Sequence, residues 1–147
     1  MRLILFAFIL GIPFSFAQQI DYHTKKGFVA NGYDVVAYFN DEALEGNKKF
    51  TAVYDTVKYK FISQNNLGTF NENPIKYMPQ YGGYCAYAIG AKAEKVKINP
   101  ETFEIRNGKL YLFYNAWGIN TLELWLQDVK VLQEKADKYW VSLKHIE

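Results

Sequence analysis

The sequence predicts a small α+β domain, in which two hairpins form an antiparallel sheet beside a short central helix and a long C-terminal helix. Two observations support this fold class. Apolar and polar residues alternate with period two in two places, and a stripe of apolar residues with helical spacing lies near the C-terminus. A length of 147 residues fits one domain.

The two hairpins are predicted from their strands and turns. In the first, residues 50–54 and 57–61 alternate in polarity and are joined by Asp55-Thr56. Threonine resists positive φ, so this is a poorer two-residue turn than Asn-Gly. In the second, Asn107-Gly108 joins two apolar segments within residues 103–113, and Asn-Gly is the strongest local hairpin signal.

The helices are predicted from one capping residue and from a stripe of apolar residues with helical spacing. Ser63 can cap a short helix that runs to about Asn71 and is ended by Pro74. The C-terminal helix is predicted from apolar residues that recur three or four positions apart, with room for a break. These are Leu122, Trp125, Leu126, Val129, Leu132, Ala136, Trp140 and Leu143.

The N-terminus predicts export. We interpret residues 1–17 as a signal peptide, 18–31 as a loose lead-in and 32–147 as the domain. Arg2 precedes an apolar run, and small residues Ser15 and Ala17 stand where a signal peptidase cleaves. A membrane-spanning helix is the competing interpretation, but the run is shorter than about 20 residues and contains Pro13. Cleavage near Ala17 would leave a periplasmic or secreted chain without a membrane span.

Composition excludes several classes of site. A single cysteine rules out an intrachain disulfide, a CxxC redox pair and a multi-thiolate zinc site. A net charge of +2 makes no strong case for nucleic acid or for an anionic membrane surface, so we expect no nucleic-acid partner. The 26 aromatic residues are expected to build the core rather than a stacking surface.

Two residues remain as candidates for metal or thiol chemistry. Cys85 follows two glycines and is expected either as a small buried hydrophobe or as a reactive thiol at a helix start. His23, in Asp21-Tyr22-His23, could help to hold a copper-type ion, or could be a polar residue in a mobile segment. No catalytic constellation is recognisable, because neither histidine is placed beside the cysteine.

Tyrosines near the two glycine-containing turns could line a pocket or pack in the core with their hydroxyls at the rim. Asp34 is expected to cap a turn rather than to act as an acid. If a ligand pocket exists, we expect it near these turns, lined by Tyr33, Asp34, Tyr81, Tyr84 and Cys85.

Several segments together resemble the YHS-domain family, from about Gly32 to Leu143. The hairpin-then-helix pattern of residues 54–77 follows that domain without a gap. Further segments resemble the family's exported, single-domain branch. These are residues 32–39, 81–86 and 107–112, and the C-terminal helix with Ala136, Asp137 and Trp140.

The departures from the family limit what the resemblance implies. Metal-binding members carry cysteines at the positions held here by Ala37, Ile62 and Asn66, and none of these side chains is a soft-metal donor. The resemblance therefore implies the fold without the usual metal cluster. We expect an exported, non-enzymatic domain that binds a small ligand or a protein partner. A copper-type metal or redox site using Cys85 is the alternative, and a cysteine hydrolase ranks last.

Overall fold

The computed structural model describes residues 17–146, so the predicted signal peptide lies outside the described residues except for Ala17. Over these residues the α+β class is confirmed, with a short central helix and a long C-terminal one. The strands are β1 (Thr24–Lys25), β2 (Phe28–Val29), β3 (Asn47–Tyr54), β4 (Val57–Phe61), β5 (Asn99–Arg106), β6 (Lys109–Phe113), β7 (Asn115–Ala116) and β8 (Ile119–Asn120). The α-helices are α1 (Gln64–Glu72), α2 (Pro74–Tyr77), α3 (Ala86–Lys92), α4 (Thr121–Leu126) and α5 (Val129–Leu143).

Both predicted hairpins are present, but they lie in separate sheets. The β3–β4 hairpin belongs to a four-stranded sheet of order β1-β2-β4-β3, whereas β5 and β6 form a two-stranded sheet of their own. One pairing is parallel, because β2 lies beside β4 with Phe28 opposite Lys58. The first sheet is therefore completed by the N-terminal segment and not by the second hairpin.

The segment 18–31, expected to be a loose lead-in, is built into the fold. Lys26 and Gly27 both have positive φ and close the tight turn between β1 and β2. Val29 and Ala30 are fully buried. Each strand is only two residues long, so the sequence carries no periodicity that would identify it. Burial of Phe28 and Val29, the two apolar residues of β2, stabilises the pairing.

Hydrogen bonds from the N-terminal segment stabilise the turn of the first hairpin. Asp55 and Thr56 have φ of 46° and 71°, which disfavours a β-branched residue such as threonine. Tyr22 donates a hydrogen bond to the Asp55 carboxylate, and the Gln19 side chain donates one to the Thr56 hydroxyl at 2.8 Å. Two residues of the N-terminal segment thus hold the strained turn.

The predicted helices form with one break. Ser63 caps α1 by accepting a hydrogen bond from the Asn66 N–H, as expected, and Pro74 begins α2. The C-terminal stripe is divided into α4 and α5 around Gln127 and Asp128. α5 packs on α3 at Gly90, where any Cβ would run into the Leu132 carbonyl. Among the described residues, no helix has the length and apolar character to cross a bilayer.

The core is rich in aromatic residues, as expected. Phe70 packs against Tyr59 and Phe61 with ring centroids 4.7 and 5.1 Å apart. A second cluster surrounds the fully buried Trp125, which lies 5.6 Å from both Tyr111 and Phe113. Side chains of these sizes account for much of the burial that stabilises the domain.

Candidate functional site

A basic groove of about 890 Å³ lies on the outer face of the four-stranded sheet. Five lysines and one carboxylate line it, so its charge is strongly positive although the whole chain is nearly neutral. We call this site the lysine groove. Its lining residues are Lys25, Lys26, Phe28, Asn31, Tyr33, Glu45, Lys48, Thr51, Lys58, Lys60 and Pro100.

The period-two geometry of β4 directs two of these lysines outward. Lys58 and Lys60 stand two positions apart and therefore share one face of the sheet. Tyr59 and Phe61 point the other way and are buried. Because β1 and β2 pair onto the same sheet, their connecting turn adds Lys25 and Lys26 to the groove.

Phe28 forms the floor under these two lysines. The ring is 8% exposed, and the Nζ atoms of Lys58 and Lys60 lie 4.8 and 5.2 Å from its centroid. An ammonium group over an aromatic face is attracted by the ring quadrupole. Both ammonium groups therefore gain a favourable contact with the floor of the groove, and Lys60 has a Glu45 oxygen 3.5 Å away.

Two glycines make room for the lysine side chains. Gly27 and Gly32 have φ of 80° and 83°, a region that other residues rarely adopt. A Cβ at Gly27 would lie 3.0 Å from Lys58 Cε, and one at Gly32 would overlap Lys60 Cε. The side chains of Lys58 and Lys60 therefore lie directly across the glycine backbone, and a larger residue at either glycine would displace them.

Of the residues predicted to bind a ligand, Tyr33 lines the lysine groove. Burial, followed by the nearby Glu101 and Glu45, raises the pKa of its hydroxyl, so Tyr33 is neutral at physiological pH. Sequence reasoning missed the lysines themselves. The signal that could have found Lys58 and Lys60 is their spacing in a strand whose other face is apolar.

Asp34 lies next to Tyr33 but is completely buried. Its Oδ1 accepts from the Val36 and Ala37 N–H groups at 2.8 and 3.2 Å, so it caps the turn as expected. Its Oδ2 accepts from the Ile62 N–H and the Asn66 side-chain amide, both at 2.8 Å. One carboxylate therefore ties the turn to the end of β4 and to α1.

The positions of Ala37, Ile62 and Asn66 converge on that carboxylate. These are the three places at which the resemblance to the YHS family puts cysteines in metal-binding members. Here each contributes a hydrogen-bond donor to Asp34, two from the backbone and one from a side chain. This arrangement satisfies a buried carboxylate and provides no thiolate or imidazole.

Tyr81 and Tyr84 lie apart from the lysine groove. Tyr81 donates to Asp137 at 2.8 Å and lines a different cavity. Tyr84 donates to Asp21 at 3.1 Å, and its ring lies 5.3 Å from that of His23. Burial, with Asp21 adding to it, raises the pKa of Tyr84 to about 12. The five predicted ligand-binding residues are thus divided between two cavities and the core.

Cys85 belongs to the core. It has no exposed surface, and its Sγ lies 3.3 Å from the Thr121 hydroxyl, which donates to the Tyr114 carbonyl. His23 is half-buried, and burial lowers its pKa, with Asn31 and Asp21 offsetting part of the change. Within residues 17–146, no three or more His, Cys, Asp and Glu side chains gather into a group that could hold a metal ion.

Comparisons with protein-family models, with curated proteins and with solved structures give no match for this chain.

Proposed function

We propose that this protein is an exported, non-enzymatic binding domain of the YHS type that holds an anionic ligand in the lysine groove. The observation that carries this proposal is the pair of ammonium groups on Lys58 and Lys60, held across glycine backbone and over the Phe28 ring. Like charges placed side by side repel each other, and an anion between them relieves that repulsion.

The assignment to the YHS type is supported by the surroundings of Asp34. Ala37, Ile62 and Asn66 were singled out through the resemblance alone, and up to 29 positions separate them. Their meeting at one buried carboxylate is what a shared scaffold would produce. The apolar run and the small residues before Gln18 support export.

The groove indicates a ligand that carries several negative charges. Lysine binds phosphate and sulfate groups as a compact point charge, and among residues 17–146 no arginine lines the groove to form a bidentate pair. A volume of about 890 Å³ falls within the usual range for small-molecule sites. The exposed face of Phe28 is already occupied by ammonium groups, so charge and not ring stacking would select the ligand.

Calorimetric titration of residues 18–147 with tripolyphosphate, and separately with a sulfated heparin tetrasaccharide, tests the proposal. We expect binding at low salt that weakens as salt is added. The double variant Lys58→Gln/Lys60→Gln should lose about tenfold or more in affinity, since two charge-assisted contacts disappear. The relative affinities of the two probes distinguish phosphate esters from sulfate esters.

The matched control is Lys109→Gln/Lys130→Gln, which removes the same charge from exposed positions outside the groove. Its affinity should stay within twofold of that of the unchanged protein. Equal losses in both double variants would mean that net charge and not the groove binds the anion, and the proposal would then be wrong. Absence of any binding at low salt would be equally decisive against it.

A further inference from the structure

The residues that line the lysine groove come from every strand of the four-stranded sheet. Lys25 on β1 is paired with Phe28 on β2, and Phe28 lies opposite Lys58 on β4, so these three form one row across the strands. Lys60 lies in the next row, opposite Thr51 on β3. All five residues line the groove. The groove therefore runs across the strands from β1 to β3 and not along a single strand.

A bulge in β3 adds one further lysine at the far side of the groove. Asn47 is paired with Phe61 and Thr51 with Lys60, so residues 48–50 have no opposite residue on β4. Strict alternation would place Lys49 on the same face as Thr51. Instead Lys48 lines the groove, whereas Lys49 does not and has its Nζ 5.7 Å from the centroid of the Phe50 ring.

Two hydrogen bonds inside the bulge anchor its backbone. The Lys49 N–H donates to the Asn47 side-chain oxygen, and the Thr51 hydroxyl donates to the Lys48 carbonyl, both at 2.8 Å. Just before the bulge, a Cβ at Gly46 would lie 2.4 Å from a carbonyl oxygen of β4, so the two strands are in close contact there. These contacts set the place from which Lys48 extends into the groove.

We propose that Lys48, positioned by this bulge, makes the lysine groove selective for linear polyanions over single anions. A linear polyanion here means a chain of several phosphate or sulfate groups. The inference rests on the proposed function of the groove and names the class of its ligand. No carboxylate of residues 17–146 forms an ion pair with Lys48, so its charge is available to such a chain.

The width of the sheet explains why chain length matters. Neighbouring strands lie about 4.8 Å apart, so the three spacings from β1 to β3 span about 14 Å. A single phosphate bound between Lys58 and Lys60 is too small to reach a further strand. A chain of anionic groups that crosses the strands also reaches Lys48 on β3, and a longer chain reaches Lys25 on β1.

The experiment is calorimetric titration of residues 18–147 with tripolyphosphate at low salt, with inorganic phosphate as the competitor. The quantity of interest is the ratio of the two affinities. Lys48→Gln should lower this ratio by about fivefold, because one exposed charge contact is lost with the chain and none with the single anion. Lys49→Gln is the matched control, since it removes the same charge from the next residue of the bulge and should leave the ratio unchanged.

Two variants of Thr51 test the role of the bulge. Thr51→Val removes the hydroxyl that donates to the Lys48 carbonyl and should lower the ratio in the same direction, by about twofold. Thr51→Ser keeps a hydroxyl and should restore the ratio. Because the ratio compares two ligands of one variant, a general loss of folded protein leaves it unchanged.

The same measurements with a sulfated heparin tetrasaccharide and inorganic sulfate identify the chemistry of the chain. A fall of the ratio in Lys48→Gln for either pair of probes supports the proposal, and the pair that shows it names the anionic group. Equal ratios in Lys48→Gln and Lys49→Gln for both pairs would overturn the proposal. An unchanged ratio in Thr51→Val would also overturn it, because the bulge would then not position the lysine.

Failure of the proposed function gives a different result. In that case neither the single anions nor the chains bind at low salt, or the two double variants that test the groove lose affinity equally. Chains and single anions that bind in the groove, with no change in their ratio in Lys48→Gln, would refute the selectivity alone.

Discussion

The lysine groove and two adjoining cavities at the β3–β4 turn share one hairpin, yet they carry opposite charge. Asp137 lines one of these cavities and Asp55 the other, and we call the two together the acidic groove. Strand β4 presents Lys58 and Lys60 to the first, and the turn before it presents Asp55 to the second. In the strand, alternation separates charged from apolar side chains. At the turn the chain reverses, and the side chains of Asp55 and Thr56, which both have positive φ, accept hydrogen bonds from Tyr22 and Gln19.

The two grooves also differ in how local they are. The lysine groove uses the sheet, whose strands place charges at regular intervals. The acidic groove combines side chains from four distant parts of the chain, with Ile20, Asp55, Ile75 and Trp140 as examples. Strand alternation therefore places Lys58 and Lys60 in the first site, whereas packing between distant segments assembles the second.

The largest effect on stability is expected from Asp34→Ala, which removes the buried carboxylate that links the turn to β4 and α1. Four donors, among them the Ile62 N–H at the end of β4 and the Asn66 amide, would lose their acceptor. Each unsatisfied donor costs about 1–3 kcal/mol, so we expect the free energy of unfolding to fall by about 3 kcal/mol or more. Urea denaturation measures it.

Glu42→Ala is the control for this variant, since Glu42 is exposed. It should change the free energy of unfolding by less than about 0.5 kcal/mol. If Asp34→Ala cost no more than Glu42→Ala, the carboxylate would not be the tie between the turn, β4 and α1.

A smaller effect is expected from protonation of His23, which adjoins the lysine groove through Lys25 and Asn31. Burial lowers the pKa of His23 from 6.5 in the folded state, so the folded protein binds fewer protons than the unfolded chain. Its contribution to stability is complete above about pH 6.5 and is lost as the pH falls through the folded-state pKa.

The measurement is thermal or urea unfolding from pH 7.5 to 4.5, for the unchanged protein and for His23→Gln. Subtracting one curve from the other removes the carboxylates, which titrate in both proteins. The difference in stability should shrink as the pH falls below 6.5. Parallel curves over that range would show that the ring is hydrated in the folded protein.

Much of the fold could be predicted because local rules determine it. Alternation identified the first hairpin and the Asn107-Gly108 turn identified the second, while the Ser63 cap and the C-terminal stripe identified α1 and α5. The prediction of the C-terminal helix left room for a break but gave no position for it. The structure has the break at Gln127 and Asp128. Strands β1 and β2 were missed because two-residue strands carry no period. They are held by long-range structure, since β2 pairs with β4 and β1 pairs with β2.

The candidate site was less predictable because it, too, depends on contacts between distant parts of the chain. Lys58 and Lys60 could be placed on one face from the sequence, but Phe28 comes under them only through a parallel pairing. Asp34 was predicted as a cap, and its bonds to Ile62 and Asn66 cross 28 and 32 positions of the chain. Contacts of that span depend on the assembled core and leave no local pattern.

The smallest predicted effect is a gain in ligand affinity rather than a loss, and it is expected at the lysine groove alone. Glu45 is the carboxylate that lines the lysine groove, with 68% of its side chain exposed and an oxygen 3.5 Å from Lys60 Nζ. The Lys60 side chain is 13% exposed, but the carboxylate is solvated, so screening should limit the pair to about 1 kcal/mol. Glu45→Gln should therefore raise the affinity for tripolyphosphate by about two- to threefold.

Glu42→Gln removes the same charge from an exposed position outside both grooves. The two variants have equal net charge, so a gain that appears only in Glu45→Gln reports the position of the carboxylate and not the total charge. High salt should abolish the gain, because exposed charges are screened within about 3 Å at 1 M. A gain of equal size in Glu42→Gln would mean that the anion responds to the whole surface, and the contrast between the two grooves would then lose its basis.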